Sequence, residues 1–327
     1  MPEKQKHFVV VGGGTGTSVV LDGLKNYHLN LSAIVTTADD GSSSGDLRRK
    51  FRMIPPGDVR QCLVALASGN FGYLNERFQK GFLQGHTLGN LLITLFYQKN
   101  GGNFQEAVDE LLRLTGASGS IIPMTLNPVT LVAELRGGRK LVGESKITSS
   151  LKIGNELEKL YLIPRYPKAN ERAIAVLKNA DAIVVGPGNL FSSIIPNFLV
   201  NGIKKAFLES CAKKIYIANI FTQPGHTDNF TIADFLAILE KYIGKDVFSH
   251  IVYNTKKIPK NILNRHTNDI IKKQIFLRPP FLSDPRFVGG DIVSLNPRVN
   301  LADPIAKIRN PFLHDPKKLA KVLVSLV

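Results

Sequence analysis

The chain has 327 residues, of which 43% are hydrophobic, so it can bury a sizeable core and global disorder is not expected. Its two cysteines, Cys62 and Cys211, exclude a disulfide framework and a four-cysteine zinc site. The sequence shows no signal peptide and no apolar run long enough for a membrane span, so we predict a cytoplasmic protein. The net charge is +16, but the basic residues are dispersed in short clusters, which argues against a nucleic-acid-binding face.

Short apolar runs rich in β-branched residues alternate with longer helix-like segments along most of the chain. The predicted strands are His7–Val11, Leu31–Thr37, Ala182–Val185, Lys214–Asn219 and Val247–Asn254. The predicted helices are Ser18–Lys25, Asn90–Gln98, Phe104–Leu114, Ile194–Glu209 and Ile232–Tyr242. Because strands and helices alternate, we predict right-handed crossovers and an α/β fold with a mostly parallel sheet and helices on both faces.

One segment, Ile121–Ile147, departs from this alternation. Gly137-Gly138 separates the apolar runs Val129–Leu135 and Lys140–Val142, which predicts a β-hairpin or a small antiparallel insertion.

The C-terminal region is rich in proline and basic residues from about residue 255, and we predict that it is irregular until a final helix at Lys317–Val327. Asp315 is the candidate N-cap of that helix, with Pro316 at its first position. Residues 1–327 are predicted to form a single domain.

Four loops follow predicted strands, at the sheet edge where ligands bind in open parallel folds. The first loop contains Gly12, Gly13, Gly14, Thr15, Gly16 and Thr17. Its glycines allow a close approach of the backbone to a phosphate or carboxylate, whereas a tight turn alone explains only one or two of them. The loop matches neither the strict dinucleotide pattern G-x-G-x-x-G nor the P-loop, which requires a lysine.

The second loop begins with Asp39-Asp40-Gly41-Ser42. Two adjacent carboxylates at a strand end are suited to accept ribose hydroxyls, to hold Mg²⁺ together with a bound phosphate, or to activate an attacking hydroxyl. An Asx-turn leading into a helix cap is the structural alternative.

The third and fourth loops are Gly186–Ser193 and Asn219–Asp228. Gly186, Gly188 and Asn189 of the third loop are candidate phosphate or sugar contacts, as are Asn219, Thr222 and Gln223 of the fourth. Taken singly, each of these two loops is equally well explained as a structural turn. All four on one edge favour a shared ligand site.

His86 has an ordinary explanation, because Thr87 or Asn90 is suited to cap the helix that follows it. The sequence contains no Ser-His-Asp signature, no H-E-x-x-H helix and no Cys-His metal cluster, so it gives no support for a hydrolase or a zinc enzyme.

Several motifs together resemble the YvcK-type gluconeogenesis factors, which are related to the CofD-type phospholactate transferases. The resemblance covers nearly the whole chain and rests on the first loop, on Asp39-Asp40-Gly41, and on the segments Pro55–Arg60, Gly85–Asn90, Gly186–Gly188 and Asn219–Gly225. It implies a Rossmann-like fold, binding of a sugar nucleotide such as UDP-N-acetylglucosamine, and a regulatory role in gluconeogenic growth and cell shape. In the CofD-type relatives, the loop corresponding to Asp39 and Asp40 works with Mg²⁺ in phospholactyl transfer from a nucleotide diphosphate donor.

Two positions depart from the YvcK pattern. Arg265-His266 stands where the branch usually has Arg-Tyr, and Leu313 precedes His314-Asp315 where the branch usually has arginine. Leucine lacks the guanidinium that pairs with a diphosphate, so Arg309 or Lys317 would have to supply that charge.

The leading hypothesis is a regulatory protein that binds a sugar nucleotide, with no catalytic turnover. A Mg²⁺-dependent transferase and an NAD(P)-dependent oxidoreductase are the alternatives. Assembly into a homo-oligomer is left open.

Overall fold

A computed structural model describes residues 5–266, 273–275, 281–296 and 312–327. Its strands are β1 (Lys6–Gly12), β2 (Leu29–Val35), β3 (Ser120–Pro123), β4 (Thr130–Leu135), β5 (Lys140–Val142), β6 (Leu157–Ile163), β7 (Ala182–Val185), β8 (Lys213–Ile217), β9 (His250–Asn254) and β10 (Phe287–Gly290).

The helices, in chain order, are α1 (Gly14–Leu24), α2 (Ser42–Phe51), α3 (Gly57–Leu66), α4 (Leu88–Lys99), α5 (Phe104–Leu114), α6 (Glu144–Ser149), α7 (Ile153–Glu156), α8 (Glu171–Lys178), α9 (Ile195–Phe198), α10 (Ile203–Glu209), α11 (Ile232–Tyr242), α12 (Lys260–His266) and α13 (Pro316–Ser325). Within the described ranges, no helix is both long enough and apolar enough to cross a bilayer.

Seven strands form one parallel sheet in the order β10-β9-β8-β7-β1-β2-β3. Alternate residues of each central strand face opposite sides, as the two-residue period of a strand requires. Val9 and Val11 of β1 pack with α9–α11 and the small sheet, whereas Phe8 and Val10 pack with α1, α3 and α13. This arrangement confirms the α/β prediction of a mostly parallel sheet covered on both faces.

The small antiparallel sheet has the order β5-β4-β6. The predicted hairpin is confirmed, since β4 and β5 flank the turn at Gly137-Gly138. The predicted start of this insertion was wrong, because Ser120–Pro123 pairs in parallel with β2 and belongs to the main sheet. Strand β6, from outside the predicted segment, completes the small sheet.

A continuous helix over Ile194–Glu209 was also predicted wrongly. The chain forms a π-helical turn at Leu190–Ile194, then α9 and α10. Gly202 separates α9 from α10 at φ = 96°, a left-handed conformation that favours glycine. The final helix is confirmed, with Pro316 at its first position and the Asp315 side chain accepting a hydrogen bond from Lys318 N.

Candidate functional site

The four loops leave neighbouring strands at the carboxyl edge of the main sheet. Strands β2 and β3 lie on one side of β1, and β7 to β10 lie on the other. The chain order therefore reverses between β1 and β7, which makes a crevice where open α/β sheets commonly bind ligands.

The first loop joins β1 directly to α1. Helix α1 begins at Gly14, and its N-cap residue, Gly13, has no side chain that could cap the first turn. Gly16 packs so closely on the third loop that a Cβ atom there would lie 1.8 Å from the carbonyl oxygen of Pro187. Thr15 Oγ1 donates to Gln61 Oε1 at 2.7 Å. The Thr17 hydroxyl is buried and has no hydrogen-bond partner among the described residues.

Glycines 12 to 14 bring this loop close to other elements as well. A Cβ at Gly13 would lie 2.8 Å from the side chain of Ser193, and one at Gly14 would lie 2.5 Å from Asp58 Oδ1. A Cβ at Gly12 would meet only the Thr17 hydroxyl within 3 Å. Contacts this close allow no side chain larger than glycine without movement of a neighbour.

In the second loop, the two adjacent carboxylates point in different directions. Asp39 Oδ1 accepts a hydrogen bond from Gly41 N at 2.9 Å, and its other oxygen lies near the start of α3, 3.0 Å from where a Cβ of Gly57 would be. Asp40 Oδ1 instead accepts from both the backbone N and the Oγ of Ser145, at 2.8 and 2.7 Å. Asp40 therefore attaches α6 to the edge of the sheet.

Ser42, also predicted in the site, is the first residue of α2 and is exposed, with φ = 41°. Helices α2 and α3 likewise begin at N-cap residues, Gly41 and Pro56, that make no side-chain cap. The start of α3 contacts both other helix starts: Asp58 lies against Gly14, and Gly57 lies against Ser44 and Asp39. The positive ends of three helix dipoles thus converge beside the carboxylates.

Hydrogen bonds join the third and fourth loops to each other. Asn219 Nδ2 donates to the carbonyl of Gly188 at 2.9 Å, and Gly188 N donates to Asn219 Oδ1 at 3.4 Å. Asn189 Nδ2 donates to Gln223 Oε1 at 2.7 Å, while Asn189 Oδ1 accepts from two backbone N–H groups of the turn that follows. These amides hold Gly186–Gly188 in place beside the first loop.

Thr222 lies apart from this arrangement. Its hydroxyl accepts from Lys273 N at 3.0 Å, and its own N–H donates to Lys273 O. With Asn229, Thr231 and Lys273, it lines a separate cavity of about 240 Å³.

Helix α6 bridges the second and third loops, and sequence analysis did not assign it a role. Thr148 donates to Glu144 Oε1 at 2.6 Å and lies 3.1 Å from Ser192 Oγ in the third loop. Burial raises the pKa of Glu144 to about 7, and the charge of Asp39 adds to the effect. Glu144 therefore holds a proton far more readily than an ordinary glutamate. Nothing in the local sequence around Gly143 indicates this.

Arg48 supplies a half-buried positive charge next to the second loop. Its guanidinium lies 3.5 Å from the carbonyl oxygen of Asp39 and donates to Thr130 Oγ1 at 3.2 Å. Burial lowers its pKa, and the negative charges of Asp40 and Asp39 act in the opposite direction. Arginine is nevertheless charged at neutral pH, and its guanidinium matches the geometry of phosphate.

The described residues contain no group of three or more His, Cys, Asp or Glu side chains placed to hold a metal ion. Asp39 accepts from Gly41 N and Asp40 accepts from Ser145, so Mg²⁺ held by either carboxylate would need phosphate oxygens of a ligand for most of its coordination, which is common for Mg²⁺.

The two departures from the YvcK pattern lie near the fourth loop or outside the described residues. His314 is buried, with Nε2 3.2 Å from the carbonyl oxygen of Ala218, next to Asn219. Leu313 precedes it, and its carbonyl accepts from Ser294 N. Arg309 and the side chains of Arg265 and His266 lie outside the described residues.

Comparison with known proteins gives a consistent result. Residues 8–276 match the model of the family described as "2-phospho-L-lactate transferase CofD". A protein of Nostoc sp., named "Putative gluconeogenesis factor", is 40% identical over 97% of this chain and 68% of its own length. The "Gluconeogenesis factor" of Bacillus subtilis is 35% identical, with 100% of this chain and 99% of that protein covered.

A solved structure is similar over the whole fold. The crystal structure of a UPF0052 family member from Bacillus halodurans superposes with a TM-score of 0.86 at 30% identity, covering 98% of this chain and 99% of the other.

Proposed function

Since this chain belongs to the CofD family and, within it, to the gluconeogenesis factors, we propose that it is a regulatory protein that binds a sugar nucleotide resembling UDP-N-acetylglucosamine. In this proposal the ligand occupies the crevice between the four loops, and its binding adjusts carbon-source-dependent growth and cell morphogenesis.

The convergence of the starts of α1, α2 and α3, none of which is capped by the side chain of its own N-cap residue, is the observation that carries this proposal. Backbone N–H groups at helix starts and the positive ends of helix dipoles favour phosphate oxygens. Asp39 lies beside the same crevice, and its carboxylate is suited to accept hydrogen bonds from sugar hydroxyls. Asn189 and Asn219 use their amides within the third and fourth loops and so fix the shape of the crevice. A ligand that combines a diphosphate with a sugar satisfies both the helix starts and Asp39. Free phosphate satisfies only the helix starts.

Calorimetric titration with UDP-N-acetylglucosamine tests the proposal. We expect saturable binding, and a loss of at least about tenfold in affinity for Arg48→Met, because a hydrogen bond to a charged group contributes about 1.5–3 kcal/mol. Arg49→Met is the matched control, since Arg49 is the exposed neighbour on the same helix, 3.8 Å from Asp46. No binding at millimolar ligand, or equal losses in both variants, would reject the proposal.

A Mg²⁺-dependent transferase is the second candidate, favoured by the family match and by the nearness of Glu144 to Asp39 and Asp40. A carboxylic acid with a pKa near neutrality is suited to exchange a proton with an acceptor hydroxyl. Incubation with Mg²⁺, nucleotide-linked donors and hydroxyl acceptors would then release nucleoside monophosphate, and Asp39→Asn would abolish the release. If the wild-type protein releases none, this candidate fails while the binding proposal stands.

A further inference from the structure

A chain of polar contacts beside the second loop links five side chains that are distant in sequence. Arg60 Nη1 donates to Asn90 Oδ1 at 2.8 Å, and Asn90 Nδ2 donates to Ser43 Oγ at 3.0 Å. Ser43 Oγ lies 2.9 Å from His86 Nδ1, and His86 Nε2 lies 3.4 Å from Asp46 Oδ2.

The arginine at one end fixes the direction of these contacts. Because a guanidinium only donates, the carbonyl oxygen of Asn90 must face Arg60, and the amide NH₂ must therefore face Ser43. Ser43 Oγ thus accepts from Asn90, so its own proton is available for His86 Nδ1. With Nδ1 as acceptor, neutral His86 carries its proton on Nε2, on the side of Asp46.

Asp46 is suited to stabilise a positive charge on that imidazole. A hydrogen bond from Lys50, at 3.0 Å, holds the pKa of Asp46 below its usual range, so the group is a carboxylate at neutral pH. Arg49 Nη2 lies 3.8 Å from the same carboxylate. A hydroxyl in contact with a base that a third group orients is the usual arrangement of an activated nucleophile.

Ser43 also lies where negative charge is tolerated. It is the second residue of the ten-residue helix α2, whose positive dipole end favours negative charge in the first turn. The residue is only 6% exposed, so a reacting group must be small.

We propose that Ser43 is a nucleophile, activated by His86 and Asp46, that accepts a small acyl group from a carboxylic ester. The Ser43 proton passes to His86 Nδ1 as Oγ bonds to the carbonyl carbon. As the ester C–O bond breaks, the leaving alkoxide takes that proton, which leaves acyl-Ser43 and a free alcohol. Water, deprotonated by the same imidazole, then releases the acid and restores Ser43. This activity does not depend on the sugar-nucleotide proposal.

Labelling with a small alkyl phosphonofluoridate tests the assignment, since Oγ attack on phosphorus expels fluoride and leaves a stable adduct. We expect the reagent to label the intact, folded chain, and peptide mass spectrometry after digestion to place the adduct on Ser43. His86→Gln should slow labelling by at least about 100-fold, within the usual contribution of a general base. Asp46→Asn should slow it as well, and Ser43→Ala should abolish it.

Ser210→Ala is the matched control, because Ser210 is equally buried, at 6% exposure, and donates to the carbonyl of Leu177 rather than to a histidine. It should label at the wild-type rate. Circular dichroism establishes that each variant is folded. An absence of adduct on Ser43 in the wild type would overturn the proposal, as would a rate that His86→Gln leaves unchanged.

Discussion

Replacing Glu144 by glutamine is expected to stabilise the protein at pH 8 and to change little at pH 5. The wild-type side chain is half-buried near Asp39 and Asp40, where ionisation adds a third negative charge. Glutamine has nearly the same shape, and its carbonyl can still accept the hydrogen bond from Thr148. The substitution therefore removes the charge and keeps the contact.

The size of the effect follows from the pKa of Glu144. Burial raises it from 4.5 to about 7 in the folded protein. Between these values the folded state holds a proton that the unfolded chain has lost, so this group's stabilisation is full below about pH 4.5 and is lost as the pH rises through 7. This pKa difference of about 2.5 between the folded and unfolded states corresponds to a change of at most about 3.4 kcal/mol in the free energy of unfolding. Because the side chain is partly exposed, we expect a gain of about 2 kcal/mol at pH 8.

Urea denaturation of both proteins at pH 5 and pH 8 measures this difference directly. Glu158→Gln is the control, since Glu158 is an exposed residue at the start of strand β6 in the small sheet. It should show no comparable gain. If Glu144→Gln changes the free energy of unfolding equally at both pH values, or destabilises the protein at pH 8, the proposed burial of a charge in the site is wrong.

Three further substitutions probe other parts of the structure. Gly16→Ala places a Cβ 1.8 Å from Pro187 O, so it should lower the free energy of unfolding by about 1–3 kcal/mol and abolish binding of UDP-N-acetylglucosamine. A urea denaturation curve identical to that of the wild type would count against the close packing of the first and third loops. Tyr216→Phe removes a fully buried hydroxyl that has no hydrogen-bond partner among the described residues, so it should raise the free energy of unfolding by about 1 kcal/mol. A lower free energy of unfolding would mean that the hydroxyl makes a hydrogen bond in the folded protein. Ser145→Ala removes one of two hydrogen bonds to Asp40, so amide hydrogen exchange in α6 should quicken; unchanged exchange would show that α6 is held by other contacts.

The sheet and its loops were predictable because their signals are local. A run such as Ala182–Val185 is apolar without alternation, as a strand buried on both faces must be, and the structure places the strand at the same residues. Glycines directly after such a run mark the exit from the sheet. Once the strands are known to be parallel, topology alone brings their carboxyl ends to one edge. Whether the residues at that edge bind a ligand stays a prediction.

The attachment of α6 was not predictable from the same signals. Asp40 and Ser145 are 105 positions apart, and their contact depends on how the small sheet packs on the large one. Asp39 and Asp40 were candidates for the same roles because they are adjacent. The structure directs the two side chains to different elements, since successive residues outside a helix or strand have no common orientation.

The contact between Ser43 and His86 shows the same limit for catalytic motifs. The sequence shows no Ser-His-Asp signature, since a signature is a local pattern and Ser43 and His86 are 43 positions apart. Of the two predicted caps of α4, Thr87 and Asn90, the structure shows Thr87, whose hydroxyl accepts from Asn90 N. That cap fixes the start of α4, and the packing of α4 on α2 then places His86 against Ser43. A structural role for the turn and a chemical role for its histidine are therefore compatible, and the absence of a motif is weak evidence against a reactive serine.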